Sequence, residues 1–239
     1  LCDRRPRDRP LAIVPVENSS EGPVTQTLDQ LAAYPDVSIT ESFSLPIRHH
    51  LLAVRRTRLA DVARVYSHPQ ALGQCRAKLR ALLPQAELLP ESSTAAAAQR
   101  AAREPGCAAI ATAAAARINR LCFLQRDMQD SDANVTRFFV VTASRRPPPA
   151  AGRKNAFRSL IHLVIGNRPG ALLHVLAPFD AADVNLTFIQ SRPLPGRPWE
   201  YGFFIEAATD WKSPAAAAAW DLGLALSEAG RKIGTCPVA

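Results

Sequence analysis

Arg145-Arg146-Pro147-Pro148-Pro149-Ala150-Ala151-Gly152-Arg153-Lys154 is the stretch that divides this chain. Consecutive prolines, a glycine and flanking cations leave it without apolar periodicity, which is the signature of a linker. Residues 1–144 then read as one domain, 145–155 as the linker and 156–239 as a second domain. A chain of 239 residues is long enough for two modest hydrophobic cores.

Before the linker, segments of strand and helix length alternate. Leu11–Val16 reads as a buried strand, and Val24–Tyr34 as a helix with Leu28 and Leu31 on one face. Val37–Phe43 and Ile47–Val54 read as strands, and Arg64–Tyr66 as a short one. Pro69–Leu82 reads as one helix with Leu72, Cys75, Leu79 and Leu82 on one side. Ala86–Leu89, Cys107–Ile110 and Asn134–Val141 read as strands, Thr94–Arg103 and Ala113–Ile118 as helices. This alternation predicts α/β layers around a mostly parallel sheet. After the linker the order changes. Strand Phe157–Ile165, a helix from Pro169 to Phe179, strands Val184–Gln190 and Tyr201–Ala207, a helix from Pro214 and a last strand Arg231–Thr235 give βαββαβ, the ferredoxin-like order.

Hydrophobic residues at 47% and charged residues at 21% are those of an ordinary globular protein. No apolar run reaches the roughly 18 residues of a membrane span. The net charge of +8 invites a nucleic-acid reading, but the cations form no long run and only 6% of residues are aromatic. We therefore expect neither nucleic acid nor membrane as a partner. Cys2, Cys75, Cys107, Cys122 and Cys236 are scattered and form no CxxC or Cys/His cluster. They read as reduced thiols of a cytoplasmic protein, with no zinc site or disulfide framework. The chain begins at Leu1, and its single methionine is Met128. It reads as a fragment, a processed chain or one whose start lies upstream.

Four segments place polar side chains at strand ends or helix starts, where unpaired N–H groups receive anions. Glu17-Asn18-Ser19-Ser20-Glu21-Gly22 follows the first strand, and a capped turn is its plainer reading. Ser67, Gln70 and Gln74 share one face if the helix begins near Ser67, and could hold a carboxylate and a hydroxyl together. A solvated face is the alternative there, and for His68 a helix cap. Ser92-Ser93-Thr94 is a helix start or a plain N-cap. Asn134, Thr136 and Phe138 alternate on one strand face. A hydroxyl beside Arg137 could protonate or polarise a leaving oxygen, or Thr136 could simply be a good strand former. Together these segments suit a small polyanion. No P-loop, GxGxxG or Ser-His-Asp pattern specifies another chemistry.

Val14-Pro15-Val16-Glu17-Asn18-Ser19 with Glu21-Gly22, Ser67-His68-Pro69-Gln70-Ala71-Leu72 with Gln74-Cys75, Ser93-Thr94-Ala95, and Asn134-Val135-Thr136-Arg137-Phe138 resemble, in order, the signature motifs of the prephenate dehydratase family. Gly170-Ala171-Leu172, Asn185-Leu186-Thr187 and Ser191-Arg192-Pro193 resemble the phenylalanine-site motifs of its ACT regulatory domain. The resemblance implies a two-lobed catalytic domain like a periplasmic binding protein, with lobe two at about residues 20–121 and the active site in the cleft. It also implies a reaction without cofactor or metal, converting prephenate to phenylpyruvate, carbon dioxide and water in phenylalanine biosynthesis. Thr136 would aid the departing hydroxyl, with Asn18 and Gln74 positioning it. Glu17, Ser19, Ser67, His68, Ser93, Thr94, Asn134, Arg137 and Phe138 would contact substrate. Gly170, Ala171, Leu172, Asn185, Gln190, Ser191, Arg192 and Pro193 would contact L-phenylalanine as effector, in a homodimer or homotetramer paired through ACT domains.

Departures from the family pattern set further expectations. The family's opening strand–helix units, with their Gly-Thr-Phe-Ser motif, are not among these residues, so the first units of lobe one are missing and weak activity or poor solubility is expected. Gln190 stands where the family has Glu, and Cys236 where it commonly has Tyr, which bears on effector affinity. The rival readings are a truncated, inactive relative that still binds phenylalanine, and an arogenate dehydratase.

Overall fold

The computed structural model describes residues 11–143 and 157–237. The linker read at 145–155 lies outside the described residues. The fold is mixed α/β, and the chain divides into two compact units, Leu1–Leu45 with Thr136–Ala239, and Pro46–Val135.

The first unit begins with strand β1 (Leu11–Asn18), the two-residue β2 (Gly22–Pro23), helix α1 (Thr25–Ala33) and strand β3 (Val37–Pro46). The long strand β9 (Val135–Ala143) returns from the second unit, giving a sheet ordered β2-β1-β9-β3. Strand β1 is not buried along its length as its apolar run suggested. Leu11 and Ile13 are 67% and 64% exposed, while Val16 is buried. Alternation explains the difference, because only one face of this sheet is packed on a core.

The second unit holds β4 (His50–Ala53), β5 (Arg64–Ser67), α2 (Pro69–Gln74), α3 (Arg76–Leu82), β6 (Glu87–Pro90), α4 (Thr94–Ala101), β7 (Cys107–Ala111), α5 (Ala113–Ile118) and β8 (Cys122–Gln125). Its sheet is ordered β6-β5-β7-β4-β8. The expectation of a mostly parallel sheet fails. β5 pairs in parallel with β6 and β7, but β4 pairs antiparallel with β7 and β8. Parallel neighbours need a helical crossover. Helices α2 and α3 supply one between β5 and β6, and α4 supplies the next. β4 reaches β5 through a loop and a single 3₁₀ turn, Leu59–Asp61.

The helix expected over Pro69–Leu82 is broken at Cys75, and the cause is Asp130. Its carboxylate accepts the N–H groups of Ala77 and Lys78 at 2.9 and 3.1 Å, capping α3 as a new helix start. Its own N–H donates to the carbonyl of Gln74 at 2.7 Å, taking the place of a donor from the next helical turn.

The C-terminal segment runs β10 (Phe157–Ile165), α6 (Ala171–Ala181), β11 (Leu186–Pro193), β12 (Tyr201–Ala207), α7 (Pro214–Ala225) and β13 (Ala229–Pro237), in the βαββαβ order expected. The sheet is antiparallel and ordered β11-β12-β10-β13. Pro214 opens α7 as read, with Ser213 capping it. Helix α6 starts at Ala171 and not at Pro169, because Gly170 before it turns left-handed at φ +77°. One face of the sheet packs on both helices through Ile161, Val175, Phe179, Trp211 and Trp220. The other face packs Leu160, Phe204, Ile233 and Cys236 against Val16, Leu28, Ile39 and Phe139 of the first sheet and α1.

That second packing depends on a close approach at Gly234. A Cβ there would lie 2.5 Å from the backbone oxygen of Ile39 and 2.9 Å from its Cβ. Neither atom can swing aside as a long side chain can. Gly234→Ala is therefore expected to destabilise the protein by about 3 kcal/mol through overpacking. A chemical denaturation midpoint equal to that of the parent chain would refute this.

Candidate active site

Thr136 and Asn18 meet because β1 carries one residue too many. Val14 pairs with Phe139 and Pro15 with Phe138, but Glu17 then pairs with Arg137 and Asn18 with Thr136. Val16 is the extra residue, a β-bulge. Without it, Asn18 would follow Val14 onto the Phe139 face, which is packed in the core. The bulge keeps Val16 buried and turns Asn18 onto the face of Thr136 and Phe138.

On that face Asn18 Nδ2 donates to Thr136 Oγ1 at 2.9 Å. Asn18 Oδ1 accepts the backbone N–H groups of Ser20 and Glu21 at 2.9 and 3.1 Å. The turn thus claims the amide oxygen and fixes which end of the amide faces the threonine. Thr136 Oγ1 accepts that bond, so its own hydrogen is directed elsewhere. Thr136 is 8% exposed, near but not sealed from solvent. Phe138 stacks on Phe43 at 5.6 Å between ring centroids.

Arg137 points to the opposite face. Nη2 lies 3.0 Å from Glu17 Oε2 and Nη1 2.6 Å from Glu206 Oε2. Glu17 and Arg137, both expected at substrate, are thus paired with each other, and Glu206 was not anticipated.

A second cluster lies within the second unit. Gln74 ends α2, and its Oε1 accepts from Asn134 Nδ2 at 2.9 Å and from His49 Nε2 at 3.0 Å. His49 is buried, and that burial pushes its pKa below the usual imidazole value. The ring is neutral at neutral pH, and its bond to a carbonyl oxygen places the proton on Nε2. With two donors on its oxygen, the Gln74 amide keeps its NH₂ group as a donor on its other side. His49 was missed by the sequence reading. Its one trace there is a polar His49-His50 pair at the mouth of the apolar Leu51-Leu52-Ala53.

Ser67 is not on the helix face expected for it. It ends β5, is fully buried, and donates to the Ile110 carbonyl at 2.7 Å. His68 takes the N-cap position of α2, but its side chain makes no capping bond. Ser93 caps α4 by accepting from Ala96 N at 3.0 Å, with Thr94 the first helical residue. Ser19 sits exposed in the turn after β1. In the C-terminal segment, Ala171 is buried below Gly170 and Leu172 half-buried. Asn185 borders a groove of about 480 Å³ with Leu173, Leu176, Asp180 and Val184. Gln190 donates to the Ser191 carbonyl at 2.9 Å. Arg192 forks onto Asp29 of α1 at 2.7 and 2.6 Å, and its guanidinium holds that carboxyl below the usual range. Cys236 is buried, which pushes its thiol up to about 12 and leaves it unreactive.

Residues 6–146 match the family model described as prephenate dehydratase. Over 202 residues the chain is 38% identical to a bifunctional chorismate mutase/prephenate dehydratase of Stutzerimonas stutzeri, covering 84% of this chain and 54% of that one. The chain thus spans about half the length of such bifunctional relatives. Among solved structures, prephenate dehydratase from Arthrobacter aurescens in complex with L-Phe superposes with TM-score 0.86 at 33% identity, covering 95% of this chain and 74% of that one. A structure described as GqqA, a novel type of quorum quenching acylase, superposes with TM-score 0.84 at 29% identity over 96% of this chain and 82% of that one. With more than half of its residues matched by the family model and its motifs placed as described, the chain belongs to the prephenate dehydratase family.

Proposed function

We propose that this chain converts prephenate to phenylpyruvate, releasing carbon dioxide and water. The observation that carries this reading is the Asn18–Thr136 pair, in which a backbone-fixed amide donates to a threonine hydroxyl and leaves its hydrogen to give. The bond from the ring to its carboxylate carbon breaks, and its electron pair moves through the cyclohexadiene as the carbon–hydroxyl bond breaks. Thr136 donates a hydrogen bond to the departing oxygen, which leaves as hydroxide and takes a proton from solvent to become water. Asn18 stabilises the negative charge this draws onto Oγ1. Gln74, held by His49 and Asn134, offers its NH₂ group to a substrate carboxylate. Aromatisation drives the step downhill, so holding two carboxylates and easing the loss of hydroxide is the work required.

The test is phenylpyruvate formation from prephenate by the purified chain, with arogenate as a parallel substrate. Phenylalanine formation from arogenate alone would reassign the substrate. The acylase described for one structural relative has less support here. Acyl transfer needs a nucleophile beside a base, whereas Ser67 donates to Ile110 and His49 to Gln74.

The domain division at residues 1–144 and 156–239, the periplasmic-binding-protein-like form of the first and the ACT identity of the second belong to the same reading. The support for a regulatory domain is the βαββαβ order together with Gly170, which holds the left-handed φ of +77° at the start of α6. L-Phenylalanine is expected to bind the chain there, its carboxylate at the N–H groups of α6, in an oligomer paired through these domains. Calorimetry on the full chain at millimolar phenylalanine checks this, and absence of heat refutes it. Gln190→Glu is expected to tighten binding by restoring a charge for the ligand's ammonium.

A further inference from the structure

Glu206 is the most deeply buried carboxylate among the described residues, 1% exposed on β12 of the C-terminal sheet. Its Oε2 takes Arg137 Nη1 at 2.6 Å, and its Oε1 takes Thr187 Oγ1 at 2.6 Å and Arg158 Nη1 at 3.2 Å. Arg137 stands one residue from Thr136 on β9, and its other terminal nitrogen holds Glu17, one residue from Asn18 on β1. The remaining side-chain nitrogen, Nε, is buried without a hydrogen-bond partner. The place of this guanidinium is therefore set by its two carboxylates and by the rings of Phe139 and Phe188 beside it. The cross-strand pair Glu17–Arg137 lies directly after the bulge that turns Asn18 toward Thr136. A chain of charge-assisted contacts thus runs from the C-terminal sheet to the two strands that set the distance between Asn18 and Thr136.

We propose that Glu206 is a positioning residue for the dehydration step, acting through Arg137 to hold Thr136 and Asn18 in register. This rests on the proposed prephenate chemistry. A neutral residue at 206 leaves Arg137 with Glu17 alone, which is more exposed, so the guanidinium is drawn toward β1 and the strand pair at the bulge shifts. The geometry of the Thr136 hydroxyl matters most at the moment the leaving oxygen departs. The loss is therefore expected in turnover and not in substrate binding. The same carboxylate is held by Thr187 on β11, the strand that also carries Gln190 to Pro193.

The experiment compares steady-state kinetics on prephenate for the parent chain, Glu206→Gln, Arg137→Gln and the double variant. Glu206→Gln keeps the size of the side chain and a group able to bond Thr187. Expected is a fall in kcat of about tenfold with KM changed less than twofold, and a double variant no slower than the slower single one. Equal losses in kcat and in folded fraction, or independent effects that multiply in the double variant, would reduce Glu206 to a structural residue and overturn the proposal. Should Glu206→Gln not fold, Thr187→Val removes one bond from the same carboxylate at a more exposed position. It is expected to lower kcat in the same direction by a smaller factor, and an unchanged kcat overturns the proposal. A parent chain that forms no phenylpyruvate would overturn the functional reading and this proposal together, whereas an active parent with an equally active Glu206→Gln overturns this proposal alone.

Discussion

Thr136→Ala is expected to lose turnover by a factor of about a hundred or more while the chain remains folded. The substitution removes one methyl group and the hydroxyl from a side chain at the end of a strand. Alanine fits that strand, and Asn18 Nδ2 loses a partner near solvent, where water replaces it at small cost. Stability should fall by no more than about 1 kcal/mol. The chemical step, by contrast, loses the donor that eases hydroxide from the ring. Thr136→Ser is the companion variant, since it keeps Oγ within reach of Asn18 and should retain a measurable share of activity. Near-normal phenylpyruvate formation by Thr136→Ala would remove the hydroxyl from the mechanism.

Gln74→Glu is the second large effect, and it separates function from packing more cleanly than alanine does. The carboxylate has the shape of the amide and accepts from Asn134 Nδ2 and His49 Nε2 as Oε1 does now. The cluster therefore stays satisfied. What disappears is the NH₂ donor, and what arrives is a negative charge facing a substrate with two carboxylates. The expected fall in kcat/KM is about a hundredfold or more, as when one preorganised donor is lost from an anion site. Gln74→Ala would instead take the acceptor from the buried His49 Nε2 and confuse activity with stability. A Gln74→Glu chain with ordinary kcat/KM would show that this amide faces no substrate anion.

The C-terminal segment was legible because the loop between β11 and β12 is rich in Pro and Gly, and Pro214 is a local signal for a helix start. The second unit was less so. Asp130, far along the chain, splits the helix at Cys75, and no periodicity in Pro69–Leu82 announces it. The antiparallel run of β4 depends on the absence of a crossover helix after it, and β8 is too short at Cys122–Gln125 to show a period. The motif residues Asn18, Thr136, Gln74 and Asn134 were singled out as candidates, but their pairing was not. That pairing depends on a bulge at Val16 and on a buried His49, both tertiary features. Glu17 and Arg137 were expected at substrate as members of the family motifs, and strand alternation places them on the other face from Asn18 and Thr136, paired with each other.

Helix α2 is six residues long, Pro69–Gln74, well below the length at which a helix is stable alone in water. Its final residue is nonetheless the one whose side chain must be aimed. Both oxygens of Gln74 are satisfied from elsewhere, the backbone one by Asp130 and the side-chain one by Asn134 and His49. During synthesis, Gln74 emerges long before Asp130 and Asn134 do. Until those residues arrive, the motif lacks the contacts from Asp130 and Asn134, and only His49 is in the chain to orient it. Contacts of such large sequence separation form late, because the loop between them must close first. The second polar cluster is thus among the last parts of its unit to form, and refolding followed by the return of activity should lag behind refolding followed by circular dichroism.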